Sequence, residues 1–137
     1  MSDKEFRLGV HGTRDLYDDR IRVELLELIQ KYNVTRIVTH AEPHGVCEIA
    51  RKLAQEQGLI LELHFLDIKK GRGMFAHRSK GVIDNSDYSV VFHDGKSKGT
   101  ENEVKLLKKL NKPYAYHLYE RDNDWTCEFE DIEFEEI

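Results

Sequence analysis

Cysteine is scarce in this chain. Cys47 and Cys127 are too few and too far apart for a secreted disulfide framework, and they lack a zinc-type spacing. Reduced thiols in a cytoplasm are the expectation, with Cys47 packed in a helix rather than activated as a nucleophile. Long apolar runs are absent too: nothing approaches the length that spans a bilayer, and no charged-then-apolar leader stands at the N-terminus. A soluble, unexported protein with no membrane partner is expected. No GxGxxG follows the first hydrophobic run, so an ordinary dinucleotide site is not indicated and no cofactor is expected. Gly95-Lys96-Ser97 mimics the end of a Walker A loop, but that spacing would need a glycine where Val90 stands, which excludes an ATPase P-loop. No internal repeat or low-complexity segment precedes residue 119.

What is present is charge, unevenly spread. The net charge is -5, which argues against a long nucleic-acid partner. Nine acids and one base, Arg121, fall in residues 119–137, so residues 1–118 hold 17 acids and 20 bases. The expected organisation is one domain over 1–118 and an acidic extension over 119–137. A chain of 137 residues can bury a core without disulfides or metal. Bases at Lys69, Lys70, Arg72, Arg78, Lys80, Lys96 and Lys98 cluster near predicted loops, which suits a small anion better than a nucleic-acid track. A solvated basic face is the plainer alternative.

Hydrophobic periodicity alternates between strand and helix. Strands are expected at Phe6 to Val10, Arg36 to Thr39, Ile60 to Phe65, Tyr88 to Phe92 and Pro113 to Leu118. Helices are expected from the face Ile21, Leu25, Leu28, Ile29 and Tyr32, from Val46 to Ala54 with Gly58 as the stop, from Met74 to Ile83, and from Thr100 to Leu110. The βαβαβαβαβ order predicts an α/β, Rossmann-like three-layer sandwich around a mainly parallel sheet of about five strands. Ligands of such sheets sit beyond the carboxyl ends of the strands. Those ends carry His11-Gly12-Thr13-Arg14-Asp15, His40-Ala41-Glu42-Pro43-His44-Gly45, and the loop from Asp94 to Thr100.

That last loop is the strongest functional signal. Gly95, Lys96, Ser97, Lys98, Gly99 and Thr100 lie between a buried strand and an amphipathic helix. Glycines admit close backbone approach, and the first helical N–H groups, hydroxyls and lysines offer donors to an anion. The plainer reading makes Thr100 the N-cap and Glu103 the partner in a capping box. No metal site is expected, because His40 and His44 flank Pro43 in a loop and nothing completes a ligand set. His77 and His93 read as pocket walls or polar surface. In the acidic extension, Trp125, Cys127 and Phe129 alternate before the phase shifts to Ile132 and Phe134, which predicts an edge strand with a bulge or packing on a neighbouring subunit. Self-association into a homo-oligomer is expected on those grounds.

Over about residues 6–118 these motifs resemble the SLOG superfamily, in its small YspA-like, YpsA-related branch. Members begin with a strand and a Gly-Ser-Arg-Asp-like loop, here Gly12-Thr13-Arg14-Asp15, and end with an Asp-Gly-x-Ser-x-Gly-Thr loop, here Asp94 to Thr100. An Arg precedes the fourth strand, here Arg78. The Gly-Gly-Ala-x-Gly-Ala-Asp-like turn of the family departs here to His40-Ala41-Glu42-Pro43-His44-Gly45-Val46-Cys47. The resemblance implies a modified Rossmannoid fold that binds nucleotides, nucleotide sugars or ADP-ribose-like ligands. Gly12, Thr13, Arg14, Gly45, Asp94, Gly95, Lys96, Ser97, Gly99 and Thr100 would then form the ligand and phosphate site.

The related Lonely Guy phosphoribohydrolases cleave the N-glycosidic bond of nucleoside 5'-monophosphates. Arg78 and Gly99-Thr100-x-x-Glu103 resemble part of their signature, and Asp94-Gly95-Lys96-Ser97 replaces the rest. Two functions follow as expectations: a module that binds or senses a nucleotide-type ligand, or a nucleotide N-glycosidase with Arg78 and Glu103 as catalytic residues.

Overall fold

A computed structural model of the protein describes residues 4–120. Five strands and four helices alternate: β1 (Arg7–Gly12), α1 (Asp19–Tyr32), β2 (Arg36–His40), α2 (Gly45–Glu56), β3 (Ile60–His64), α3 (Met74–Asp84), β4 (Tyr88–His93), α4 (Lys98–Lys109) and β5 (Tyr114–Leu118), with a 3-10 turn at Ile68–Gly73 before α3. All strand pairs are parallel, in the order β3-β2-β1-β4-β5. This is the expected three-layer Rossmann-like sandwich.

Alternation along the strands divides the core. Leu8 and Val10 of β1, Ile37 of β2, and Val90 and Phe92 of β4 turn to one face, where α1 contributes Ile21, Leu25, Leu28 and Ile29 and α2 contributes Val46, Ala50, Leu53 and Ala54. Full burial of each such side chain is worth about 1.5–3 kcal/mol. The other face is smaller: Val91 meets Ile83 of α3 and Leu107 of α4. On β1 and β2 that face carries Gly9 and the buried Val38, and at its carboxyl end period two places the buried, polar His11 and His40.

Helix ends account for the boundaries. Asp18 caps α1 by accepting from the Arg20 backbone N–H at 2.9 Å, and Asn33 closes it in the left-handed region at φ 52°. Several boundaries differ from the expectation by a residue or two, and β2 runs to His40, which places that histidine in the sheet rather than in the loop. β1 runs on to Gly12, which Phe92 of β4 faces in register, so His11 belongs to the sheet rather than to the loop. Helix α4 starts earlier than Thr100: Ser97 is its N-cap, its hydroxyl accepting from the Thr100 N–H at 3.3 Å. Thr100 is therefore in the first turn, and Glu103 makes no capping box. The hydroxyl three residues upstream wins the cap because its neighbour Asp94 already holds the preceding amides in a turn. The edge strand anticipated from residues 125–134 lies outside the described residues.

Candidate functional site

The direction of the crossovers reverses between β1 and β4, so a crevice opens at the carboxyl ends of these two strands. Three connections meet there: the β1–α1 loop, the β2–α2 loop and the β4–α4 turn. Thr13 ties two of them. Its N–H donates to the Phe92 carbonyl at 3.1 Å, and its hydroxyl accepts from the Asp94 N–H at 3.3 Å and lies 3.4 Å from the Thr100 hydroxyl. Gly45 ties the third, since it sits at φ 72° with its α-carbon against the Arg14 backbone, where a β-carbon would come within 2.2 Å. Only glycine fits both the left-handed backbone and that approach.

The β4–α4 turn is held from within. One carboxylate oxygen of Asp94 accepts from the Lys96 and Ser97 N–H groups, each at 2.9 Å. Two of the amides that resemble an anion cradle in the sequence are thus occupied by a side chain of the loop itself. Gly95, at φ 89°, turns the chain toward Leu118 of β5. His93 bolts the turn from below. Its Nε2 reaches the Ser97 carbonyl at 3.0 Å and its Nδ1 the Tyr116 hydroxyl at 2.7 Å. A carbonyl only accepts, so Nε2–H donates and Nδ1 accepts from the phenol. Both ring nitrogens are satisfied, and His93 is a structural histidine.

Beside this turn, between α3 and α4, lies a cleft of about 330 Å³. Its walls carry five cationic side chains, Arg14, Arg72, Arg78, Lys105 and Lys109, against two acids, Glu42 and Glu103. Arg78 is the buried one of the five, with 8% of its side chain exposed. Its Nη2 donates to Glu42 Oε2 at 2.6 Å, and its guanidinium stands 5.7 Å from the Phe75 ring. Among the described residues its Nε has no hydrogen-bond partner. Ser97, Gly99 and Thr100, at the start of α4, complete the wall.

At the floor three ionisable groups from three elements meet, His40 and Glu103 lining the cleft and His11 buried beneath them. His11 Nδ1 and His40 Nε2 are 3.0 Å apart, and His40 Nε2 is 3.1 Å from Glu103 Oε2. Ser79 of α3 donates its hydroxyl to the same oxygen at 3.1 Å. Burial holds the His40 imidazole below its ordinary value despite the pull of Glu103. Burial opposes ionisation of Glu103 as well, but the adjoining imidazoles outweigh it and hold the carboxyl well below its usual range. The floor therefore keeps a carboxylate in a nearly dry setting. Cys47 stands nearby, but burial pushes its thiol up to about 11, which leaves it protonated and unreactive.

Of the residues singled out in the sequence, Gly12, Arg14, Arg78, Ser97, Gly99, Thr100 and Glu103 line this cleft. Thr13, Gly45, Asp94, Gly95 and Lys96 are not on its wall. The first four shape the loops behind it, as described. Among the described residues His44 joins no ligand set, because it stands exposed at the N-cap position of α2 while Glu42 pairs with Arg78. The residues that sequence reasoning missed are His11 and His40 as a pair. A signal existed: β1 and β2 pair with an offset of 29 residues, and both strands reach a histidine at the same level.

No family model matches the chain. Over 105 residues, 76% of its length, the chain is 32% identical to the bifunctional uridylyltransferase/uridylyl-removing enzyme of Aliivibrio fischeri, in strains MJ11 and ATCC 700601 / ES114. It spans 11% of the length of those relatives. Among solved structures, the Moco carrier protein from Chlamydomonas reinhardtii matches with a TM-score of 0.58 and 19% identity, over 92% of this chain and 83% of that one. That likeness is one of fold, and it identifies the chain as a small Rossmann-like protein.

Proposed function

We propose that the cleft between α3 and α4 binds a small anionic ligand of nucleotide type, and that the protein acts as a binding or sensing module. The observation that carries this reading is Arg78, a buried arginine with an unpartnered Nε on the wall of a cleft whose cations outnumber its acids. A guanidinium is kept in such a place at a desolvation cost, which an incoming phosphate or carboxylate offsets. The start of α4 adds its dipole and the hydroxyls of Ser97 and Thr100. The volume suits a nucleoside phosphate. The resemblance of Gly12-Thr13-Arg14-Asp15 and Asp94 to Thr100 to SLOG motifs supports a nucleotide or ADP-ribose-like ligand, as do the uridylyl names of the relatives matched in part. The Moco carrier protein, by its name, carries a small molecule on this fold.

Calorimetry with nucleoside monophosphates, NAD and ADP-ribose tests the reading. At least one of them binds the wild type, and Arg78→Ala lowers that affinity by tenfold or more. Undiminished binding by the variant would remove the ligand from this pocket.

One observation favours a second reading. Glu103 is not spent on capping but stands ionised on the floor, oriented by Ser79 and His40. A carboxylate in that position can align and deprotonate a water against the sugar carbon of a bound nucleotide, as an N-glycosidase requires. Mass spectrometry for a released base distinguishes the two: in a hydrolase Glu103→Gln removes turnover and leaves nucleotide affinity mostly intact, whereas no base is released by a binding module.

A further inference from the structure

We propose that His11, His40 and Glu103 form a binding site for a divalent transition-metal ion, with Zn²⁺ the type case, at the floor of the cleft. The proposal rests on the geometry of the three groups and is independent of what the cleft above them binds.

Hydrogen bonding alone does not satisfy this cluster. His40 Nε2 faces two atoms, His11 Nδ1 at 3.0 Å and Glu103 Oε2 at 3.1 Å. If Nε2 carries the proton, one N–H has two acceptors and His40 Nδ1 is left without a donor. If Nε2 is bare, it accepts from His11 Nδ1–H but stands 3.1 Å from a carboxylate oxygen that then receives no proton from either ring. His11 Nε2 and Glu103 Oε1 are likewise buried without a hydrogen-bond partner among the described residues. The distal ring nitrogens thus fix neither tautomer, in contrast to His93, whose two partners fix its own. A cation receiving one lone pair from each group relieves the crowding at His40 Nε2, where acceptors of all three residues gather.

The spacing agrees. One ligand atom from each residue lies within 4.8 Å of the others. His11 Nδ1 is 3.0 Å from His40 Nε2 and 3.8 Å from Glu103 Oε1. Bonds of about 2.0–2.1 Å to a tetrahedral metal place neighbouring ligand atoms roughly 3.3 Å apart, so small rotations of Glu103 reach that geometry. Two imidazoles and one carboxylate are the donor set of exchangeable catalytic zinc and of open ferrous sites rather than of calcium or magnesium. His40 and Glu103 line the cleft, so a coordination position opens toward the bound ligand. Ser79, through its bond to Glu103 Oε2, orients the carboxylate. The imidazoles have no comparable support, so the site is expected to load and release its metal in exchange rather than hold it as a structural ion.

The test uses the full chain, freed of metal with a chelator and titrated with Co²⁺ and Zn²⁺ alone. Visible d–d bands of Co²⁺ should saturate at one equivalent with the intensity of four or five coordination, and Zn²⁺ should displace them. His40→Gln and Glu103→Gln should each weaken Co²⁺ affinity tenfold or more while circular dichroism and the thermal midpoint stay near wild type. Should a variant fail to fold, paramagnetic broadening in the wild type decides: Co²⁺ should broaden the amides of residues 10–13, 39–42 and 102–104 first. Absence of Co²⁺ and Zn²⁺ binding, affinity unchanged in both folded variants, or broadening centred elsewhere would each overturn the proposal.

Discussion

The two ends of the sheet treat charge in opposite ways. At the amino end, where the strands begin, the charges of Arg7, Asp87, Arg36, Glu5 and Glu62 lie near the surface and are paired. Arg7 donates through its backbone and guanidinium to Asp87, Arg36 bridges Glu5 and Glu62, and Phe6 stacks on Tyr32 at 5.0 Å. At the carboxyl end a cluster of polar groups is buried and its pairing among the described residues is incomplete, with unpartnered atoms on His11, His40, Arg78 and Glu103. The same fold thus supplies one end built for stability and one that carries unmet bonding capacity. Orphaned buried polar groups cost about 1–3 kcal/mol each, a cost that the ligand proposed for the cleft would offset.

That contrast can be broken most severely at Gly45. Gly45→Ala forces a β-carbon into the Arg14 backbone at a left-handed φ, and the expected loss is at least about 3 kcal/mol, read as a collapse of the denaturant midpoint. Thr13→Val comes next. It leaves the buried Asp94 N–H without its acceptor and unties the β1–α1 loop from the β4–α4 turn, for an expected cost of about 1–3 kcal/mol by urea unfolding.

The amino end should respond more weakly. Hydrogen bonding from Arg7 holds the Asp87 carboxyl below its ordinary value against the opposing effect of burial. A depressed carboxyl lends its stability in full above about pH 4 and loses it as pH falls through the lower folded value. Asp87→Asn should therefore flatten the acid limb of the stability profile. At pH 7 its expected cost is about 1 kcal/mol or less, because the pair is about one-third exposed and water screens it. A midpoint series from pH 2 to 7 checks both statements. Smallest of all is Arg22→Ala, which removes an exposed pair with Glu56 and should leave the thermal midpoint and ligand binding unchanged.

The fold was the legible part of the sequence. Val90, Val91 and Phe92 announce a buried parallel strand, and Ile21, Leu25, Leu28 and Ile29 a helix, because burial acts on every turn and every second residue. The site was less legible for two reasons. Capping choices compete locally: Ser97 and Thr100 both suit an N-cap, and only the Asp94 turn decides between them, which in turn decides what Glu103 does. The floor also depends on register. His11 and His40 are 29 residues apart and Glu103 is far from both, so their meeting follows from strand pairing and helix packing that periodicity does not encode. Gly45 was visible as a glycine, but its purpose lies in contact with Arg14, a long-range fact.

The bolt formed by His93, with Asp94 above it, has a kinetic consequence. Because the β4–α4 turn is fixed by bonds to Ser97 and Tyr116 before any ligand arrives, its ordering entropy is spent during folding and not during recognition. A molecule reaching the start of α4 meets a surface already in its bound shape. Its observed association rate should climb linearly with concentration, in a single phase, with no plateau from a slower rearrangement of that turn.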